Sequence, residues 1–365
     1  MKFILTSCGL SMLTNYLKSK YDIEPKEVYK RSNLRKDEID KEFLEKVENA
    51  VKSLKHEIVR YSNKELKRLS AELNALISFY RGSFDNKDFH LLFVTDTYLG
   101  EVVADILKTF LEKKGINAQK LIAKDLKTSS LEEFEMALSD VVKELSGLFE
   151  DFKSNNYEIV FNLTGGYKSV NSFLQTMATL WADRSIYIFE GSSELLEIPK
   201  LPLRLDEEIF EKYFDVFVKL ERGEKLNEEE IKNIPSALII KIGDEYSLSS
   251  WGEIVWQKYK RDNFRFYSTE EVVKDIRIMK NVRNILKNKF PYNYSNKTEI
   301  KNGHYVYDDG NNPYRIFYFK EGSNFYIYKV FEDHDKYEKF LEKPFTEDFK
   351  KEFKKKAKIF GLKEI

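Results

Sequence analysis

Asn162-Leu163-Thr164-Gly165-Gly166-Tyr167-Lys168-Ser169 decides how the first half of the chain is read. It follows an apolar run, Tyr157 to Leu163, and precedes a helical pattern from about Ser169 to Ala182. Two glycines after a buried strand let backbone N–H groups approach an anion closely. The following helix points its positive end at the same place. Lys168 adds a mobile charge, and Ser169 is a candidate cap. The turn lacks the Gly-Lys pair and the spacing of a Walker A loop. A glycine-rich tight turn carrying a surface lysine is the plainer reading of the same residues.

Outward from this turn, strands and helices alternate. Phe3 to Thr6, Phe89 to Thr95, Tyr157 to Leu163 and Ile186 to Glu190 read as strands, with Glu197 to Pro202 as a further candidate. Ser11 to Tyr21, Tyr98 to Lys113 and Leu131 to Phe152 read as helices. Glu42 to Phe79 reads as one long amphipathic stretch, with Leu44, Val47, Val51, Leu54, Ile58, Leu66, Leu69, Leu73 and Ile77 apolar. This alternation predicts an α/β Rossmann-like domain over residues 1–205, with a mostly parallel sheet. In such sheets ligands bind beyond the carboxyl ends of the strands. Two more strand ends carry small polar residues, Thr6-Ser7-Cys8-Gly9 with Ser11, and Thr95-Asp96-Thr97. A hydroxyl and a lysine from neighbouring strand ends could hold a phosphodiester and position a ribose 2′-hydroxyl for attack. Asp96 could orient a ribose or adenine, but a helix cap is the favoured reading.

The 365 residues suit two or three domains, and 42% apolar content supplies their cores. The formal net charge is zero, but it is unevenly spread. Residues 265–365 hold 22 lysines and arginines against 16 acids, so the rest of the chain carries the opposite imbalance. A basic C-terminal domain points to a polyanionic partner, the alternative being a solvated lysine-rich surface. Cys8 is the only cysteine, which excludes internal disulfides and thiolate zinc sites and fits a reducing cytosol. Met1-Lys2-Phe3-Ile4-Leu5 is too short for a signal peptide, and no run of about 18 apolar residues exists to span a membrane. A cytoplasmic location is expected, with no metal and no cofactor.

Residues 206–264 read as a helical or winged-helix connector. Helices are expected over Ile209 to Leu220, Asn227 to Lys232 and Leu248 to Lys260. A turn at Ile242-Gly243-Asp244-Glu245-Tyr246 makes a small wing. Without an obvious basic recognition helix, a structural or dimerising role is favoured over DNA reading. Residues 265–365 read as a small α+β domain. A helix from Thr269 to Phe290 is ended by Pro291. Strands follow at His304 to Tyr307, Tyr314 to Lys320 and Phe325 to Phe331. They are separated by turns at Asp309-Gly310-Asn311-Asn312-Pro313 and Glu321-Gly322-Ser323-Asn324, and a helical tail carries Phe349, Phe353 and Ile359.

The N-terminal segment resembles the CARF domains of CRISPR-associated proteins. The resemblance lies in Leu5-Thr6-Ser7-Cys8-Gly9-Leu10-Ser11-Met12-Leu13-Thr14-Asn15, in Phe93-Val94-Thr95-Asp96-Thr97, and in Asn162 to Val170 with Phe173 and Ala178. It implies a homodimer that binds a cyclic tetra-adenylate or hexa-adenylate activator, the tetra-adenylate being the favoured ring, across its two-fold axis. The implied ligand-binding residues are Ser7, Cys8, Gly9, Ser11, Asp96, Thr97, Thr164, Gly165, Gly166, Tyr167, Lys168 and Ser169. Some members cut their activator without metal, and Ser11 and Lys168 match positions used for that.

Many CARF effectors carry a HEPN ribonuclease with an Arg and a His four to six residues apart. None of His56, His90, His304 and His334 has an arginine five to seven positions before it, which disfavours that reading. Glu299-Ile300-Lys301 matches the short part of a metal-dependent nuclease core, without a convincing apolar strand around it. A helix, then Gly303 to Tyr307, Tyr314 to Lys320 and Phe325 to Phe331, resembles the RelE family of messenger-RNA interferases. That resemblance implies metal-free RNA cleavage by 2′-hydroxyl attack, with messenger RNA and the ribosome as partners. Arg315 is the residue carried over first, and Lys320, Lys329, His334, Lys336 and Tyr337 are further catalytic candidates. The rival readings are a nucleotide-regulated winged-helix DNA-binding protein and a stand-alone ring nuclease.

Overall fold

The computed structural model describes residues 1–126, 131–189, 194–203, 205–294, 297–310, 312–321, 324–362 and 365. Glu190, Asn311, Gly322 and Ser323, which fall in elements or turns expected above, lie outside the described residues. The chain forms two compact units, one of Met1–Glu144 with Asn155–Arg204, the other of Leu145–Ser154 with Leu205–Ile365.

The first unit is built on a six-stranded sheet. Its strands are β1 (Lys2–Ser7), β2 (Phe89–Thr95), β3 (Asn117–Ala123), β4 (Glu158–Asn162), β5 (Arg184–Ile188) and β6 (Leu195–Pro199). The order is β3-β2-β1-β4-β5-β6. The first five are parallel and β6 runs antiparallel to β5. This mixed α/β arrangement is consistent with a Rossmann-like domain. β1 lies between β2 and β4, so the sheet grows outward in both directions from it and its carboxyl end is a topological switch point, the place where such sheets bind ligands. Thr6 pairs with Asn162, which brings the loops that follow β1 and β4 side by side.

Two expectations for this unit change. The stretch from Glu42 to Phe79 is three helices, Lys41–Glu57, Asn63–Leu69 and Ala71–Phe79. Ser62 and Ser70 break it, because each hydroxyl accepts an N–H of the next helix, from Glu65 and Leu73. The helix after β4 begins at Lys168, with Tyr167 at the cap position, so Ser169 lies inside the first turn and is not the cap. β3 was passed over in the sequence. Its buried residues are Ala118, Leu121 and Ala123, which do not alternate strictly, and Asn117, Gln119 and Lys120 dilute the apolar signal.

In the second unit, helices Glu208–Lys212, Phe214–Arg222 and Glu228–Ile231 precede a hairpin of β7 (Ile239–Ile242) and β8 (Glu245–Leu248). Helix Ser250–Asp262 follows, capped by Ser249. Phe210, Phe217, Trp256 and Tyr259 stack into the core of this part. The rest is a sheet of β9 (Arg265–Ser268), β10 (Thr298–Lys301), β11 (His304–Asp308), β12 (Arg315–Glu321), β13 (Asn324–Phe331) and β14 (Lys358–Gly361). Its order is β10-β11-β12-β13-β9-β14, with β9 parallel to β13. One core packs Ile316, Tyr318 and Ile327 against Val273, Ile276 and Leu286. A second packs Phe317, Phe319 and Tyr328 with Tyr337 and Phe353. Alternate residues of β12 therefore serve two cores, as a strand buried on both faces requires.

The helix expected over Thr269 to Phe290 is two, Glu270–Ile278 and Lys280–Asn288, because Met279 leaves helical geometry (φ −80°, ψ 87°). Pro291 sits in the first turn of a further helix, Phe290–Asn293, where its missing N–H costs nothing. Ile359 lies on β14 and not on the helical tail, which ends at Lys356.

Candidate functional site

In the first unit the turn and the end of β1 meet over one side chain. Glu72 is fully buried. Its Oε1 accepts the Gly9 N–H at 2.6 Å. Its Oε2 accepts the Ser70 hydroxyl at 2.6 Å and the Ser11 hydroxyl at 3.3 Å. The Asn162 amide donates to the Glu72 carbonyl at 3.2 Å. All these donors are neutral, and burial pushes the Glu72 carboxyl above its ordinary value.

Glycine is required at three positions around this carboxyl. A methyl on Gly165 would overlap Glu72 Oε1. A methyl on Gly9 would strike the Gly166 backbone. Gly166 adopts φ +94°, and a methyl there would strike Ser7 Oγ. Asn171 holds the turn from the far side, donating to the Leu163 and Gly165 carbonyls at 2.9 and 2.7 Å. The helix N-terminus at Lys168 has no side-chain cap, and Lys168 and Ser169 are exposed beside it.

The structure thus gathers Ser7, Gly9, Ser11, Gly165 and Gly166. Lys168 and Ser169 are exposed at the adjoining helix start, and the remaining five expected ligand residues are engaged in other contacts. Cys8 packs in the apolar core, its thiol pushed up by burial and by Glu72. Thr97 shares a 3.2 Å hydrogen bond with Thr95. Asp96 does not cap the helix after β2. Its carboxylate accepts the Asp125 N–H at 3.0 Å and pairs with Arg35 at 2.8 Å. Thr164 Oγ1 accepts the Ile188 N–H at 3.2 Å. The Tyr167 hydroxyl donates to the Ser32 carbonyl at 2.9 Å.

Glu72 is the residue that sequence reading missed. Its signal was present, an acid at a core position of the stripe formed by Leu69, Leu73 and Leu76.

In the second unit a cavity of about 650 Å³ opens beside β10, β11 and the start of β12. Glu299, Asp308, Arg315 and His334 are among its lining residues. Arg315 is buried. Its Nη1 donates to the Asn312 and Tyr314 carbonyls at 2.6 and 2.8 Å, and its Nη2 pairs with Asp308 at 2.7 Å. Asp308 and Arg315 are direct cross-strand partners. Arg315 Nε is buried without a partner. The guanidinium lies 5.1 Å from the Tyr337 ring. His334 starts the helix His334–Leu341 with an exposed ring 3.4 Å from the Tyr337 hydroxyl. Glu299 bonds Lys301 at 2.9 Å. That bond, and to a lesser degree Arg315, hold its carboxyl below the ordinary value.

Arg315, His334 and Tyr337 therefore come together, while three expected partners do not. Lys320 lies at the far end of β12, five residues from Arg315 or roughly 16 Å along the strand. It donates to the Tyr294 hydroxyl at 2.7 Å. Lys329 pairs with Asp275 at 3.3 Å. Lys336 is exposed and pairs with Asp333 at 3.8 Å. Sequence reading had Glu299 only as part of a metal site and did not single out Asp308. Both are brought in by the β10-β11-β12 pairing, which local pattern does not reveal.

Among the described residues no group of three or more His, Cys, Asp or Glu is placed to hold a metal ion. Also among them, no helix is long and apolar enough to cross a membrane.

The first unit is an α/β domain on a mostly parallel sheet, with a close-packed glycine junction where the loops after β1 and β4 meet. Residues 67–201 match the family described as CRISPR-associated protein (Cas_APE2256), so this part of the chain is similar to that family. The matched stretch includes Glu72, Asp96 and the Asn162–Ser169 turn. It ends before Leu205 and so covers none of residues 205–365.

Proposed function

We propose that the chain is a cyclic oligoadenylate-activated ribonuclease effector of type III CRISPR defence. The first unit takes the activator, with cyclic tetra-adenylate as the favoured ring, at the strand ends that carry Gly9, Ser11 and Gly165-Gly166. The chain acts as a homodimer in the cytoplasm, and residues 206–264 link sensing to cleavage. The domain of residues 265–365 cuts messenger RNA, on the ribosome, without a metal or cofactor.

The observation that carries this reading is the Arg315 cavity, which joins a carboxylate, a guanidinium and an imidazole in one space. Cleavage by 2′-hydroxyl attack needs those three functions. The Glu299 carboxylate lines the cavity and can accept the 2′-proton, its bond to Lys301 making it a weaker base than a free carboxylate. Arg315 can stabilise the phosphorane, and exposed His334 can protonate the 5′-oxygen as an imidazolium. The basic excess of residues 265–365 suits an RNA partner.

The test incubates the protein with cyclic tetra-adenylate or hexa-adenylate in EDTA and follows RNA cleavage with and without ribosomes. Activator-dependent, EDTA-resistant cleavage is expected. Salt-dependent duplex DNA binding without RNA cleavage would support a DNA-binding regulator instead. Activator cleavage alone would support a stand-alone ring nuclease.

A further inference from the structure

The Ser11 hydroxyl has a fixed polarity. Its oxygen accepts the Ala71 N–H at 3.0 Å, and its proton points to Glu72 Oε2 at 3.3 Å. A serine oxygen has two lone pairs and one proton, so one lone pair is left for a ligand. Ser11 can therefore accept from a ligand hydroxyl but cannot donate to a phosphate oxygen in this arrangement. Phosphate is better placed at the uncapped helix start beside Lys168.

We infer that Glu72 takes up, through the Ser11 hydroxyl, the proton released when a ribose 2′-hydroxyl of bound cyclic oligoadenylate attacks the adjacent phosphodiester. The inference rests on reading the glycine junction beside half-exposed Ser11 and exposed Lys168 as a cyclic oligoadenylate site. Glu72 touches no ligand atom and is a positioning residue that acts through Ser11.

In the step, the 2′-oxygen forms a bond to phosphorus and the bond from phosphorus to the 5′-oxygen breaks. The 2′-proton moves to Ser11 Oγ as the Ser11 proton moves to Glu72 Oε2. The Lys168 ammonium supplies the proton that the leaving 5′-oxygen takes. The products are a linear oligoadenylate with a 2′,3′-cyclic phosphate and a 5′-hydroxyl. Exchange with solvent then resets Glu72 and Lys168. No metal, oxidant or water enters the step.

The surroundings of Glu72 suit a proton acceptor. Gly9 and Ser11 face it from the loop and helix after β1, Ser70 from its own helix cap, and Gly165 and Asn162 from the end of β4. None of these is charged. Cys8 is the titratable neighbour, and its thiol stays protonated because burial and Glu72 both push it up. Burial raises the basicity of the carboxylate above that of an exposed one, which brings its proton affinity closer to what a neutral-pH relay needs.

The experiment follows single-turnover cleavage of cyclic tetra-adenylate by the full chain in EDTA across the acid to neutral range, beside binding of the same ring. The wild-type rate is expected to fall on acidification, through a midpoint above the ordinary carboxylate range. Glu72→Gln is expected to bind the ring as before and to cleave it at least about 100-fold more slowly. Glu72→Asp keeps a carboxylate and is expected to restore part of the rate with a displaced acid limb. Ser11→Ala should lose both rate and limb. Wild-type rate and limb in Glu72→Gln would overturn the relay, as would a flat wild-type profile. Should Glu72→Gln fail to fold, the wild-type profile and Glu72→Asp still decide. Tight binding without cleavage by the wild type would overturn the relay and leave the ligand-site reading intact. No binding at all would overturn both.

Discussion

Glu72 and Arg315 are both buried ionisable groups at the centre of a candidate site, but their surroundings differ. Glu72 meets only neutral donors, two hydroxyls and a backbone N–H. Arg315 meets a carboxylate and two carbonyls. A buried charge with neutral partners is held in tension, because burial opposes its ionised form. A buried charge with an ionic partner is compensated, and removing that partner leaves it exposed to the full cost of burial. The first arrangement suits a group that changes protonation during a reaction. The second suits a permanent charge that must stay in one place until something displaces its partner.

The largest test of this contrast is Arg315→Ala. RNA cleavage should fall by about 10²–10³ or more, while cyclic oligoadenylate binding is unchanged. Paired binding and cleavage assays check it, and loss of both with the fold preserved would break the separation of the two sites. Next comes Gly165→Ala. Its methyl overlaps Glu72 Oε1, so an overpacking cost of about 1–3 kcal/mol is expected. A Tm lower by several degrees, with weaker ring binding, would be measured by thermal melts and titration.

Glu72→Gln should move stability the other way at neutral pH. The folded-state affinity of Glu72 for its proton is raised, so the stability its protonation supplies is present below the unfolded value. That stability is lost as pH rises through the folded value. Glutamine does not titrate, so the variant should melt a few degrees higher than wild type above that value. The gap should close on acidification, and melts at several pH values would show it. A gap of constant size would mean that Glu72 does not titrate in this window.

A smaller effect is expected from Asp308→Asn. Three of the five Arg315 N–H groups are engaged, and Asp308 holds Nη2 where a phosphate oxygen would compete. The amide accepts more weakly, so a rise of a few fold in activator-independent RNA cleavage is expected, read in the same cleavage assay. A fall would mean that Asp308 positions Arg315 rather than occupying it. The smallest effects belong to Lys320→Ala and Lys336→Ala, whose ammonium groups point to Tyr294 and Asp333. RNA cleavage close to wild type is expected for both.

The parallel sheet of the first unit was legible because its central strands are continuous apolar runs with glycine or small polar residues at their ends. Phe89 to Thr95 and Glu158 to Asn162 are buried almost throughout. The breaks at Ser62, Ser70 and Met279 were not read, because amphipathic spacing continues across them while hydroxyl caps or one backbone angle end the helix. The three strands around Arg315 were legible as aromatic alternation. β9 and β14 were not, being four residues each and paired with distant parts of the chain. Arg315, His334 and Tyr337 were found by resemblance. Glu72 and Asp308 needed long-range pairing, since Glu72 reaches Gly9 across 63 positions.

The interlocked glycines bear on how distant relatives of the first unit can be recognised. Gly9, Gly165 and Gly166 each exclude a side chain through an atom supplied by the other loop or by Glu72. No one of them can drift unless its neighbours also change. A search that demands Gly-x-Ser after a first buried strand, an acid on the core face of a following helix, and Gly-Gly-x-Lys after a later strand would therefore test a single physical unit. Chains that keep the glycines but place an apolar residue at the position of Glu72 would keep the glycine junction without the buried acid and, on the proposal above, would be expected to bind a ring without cutting it.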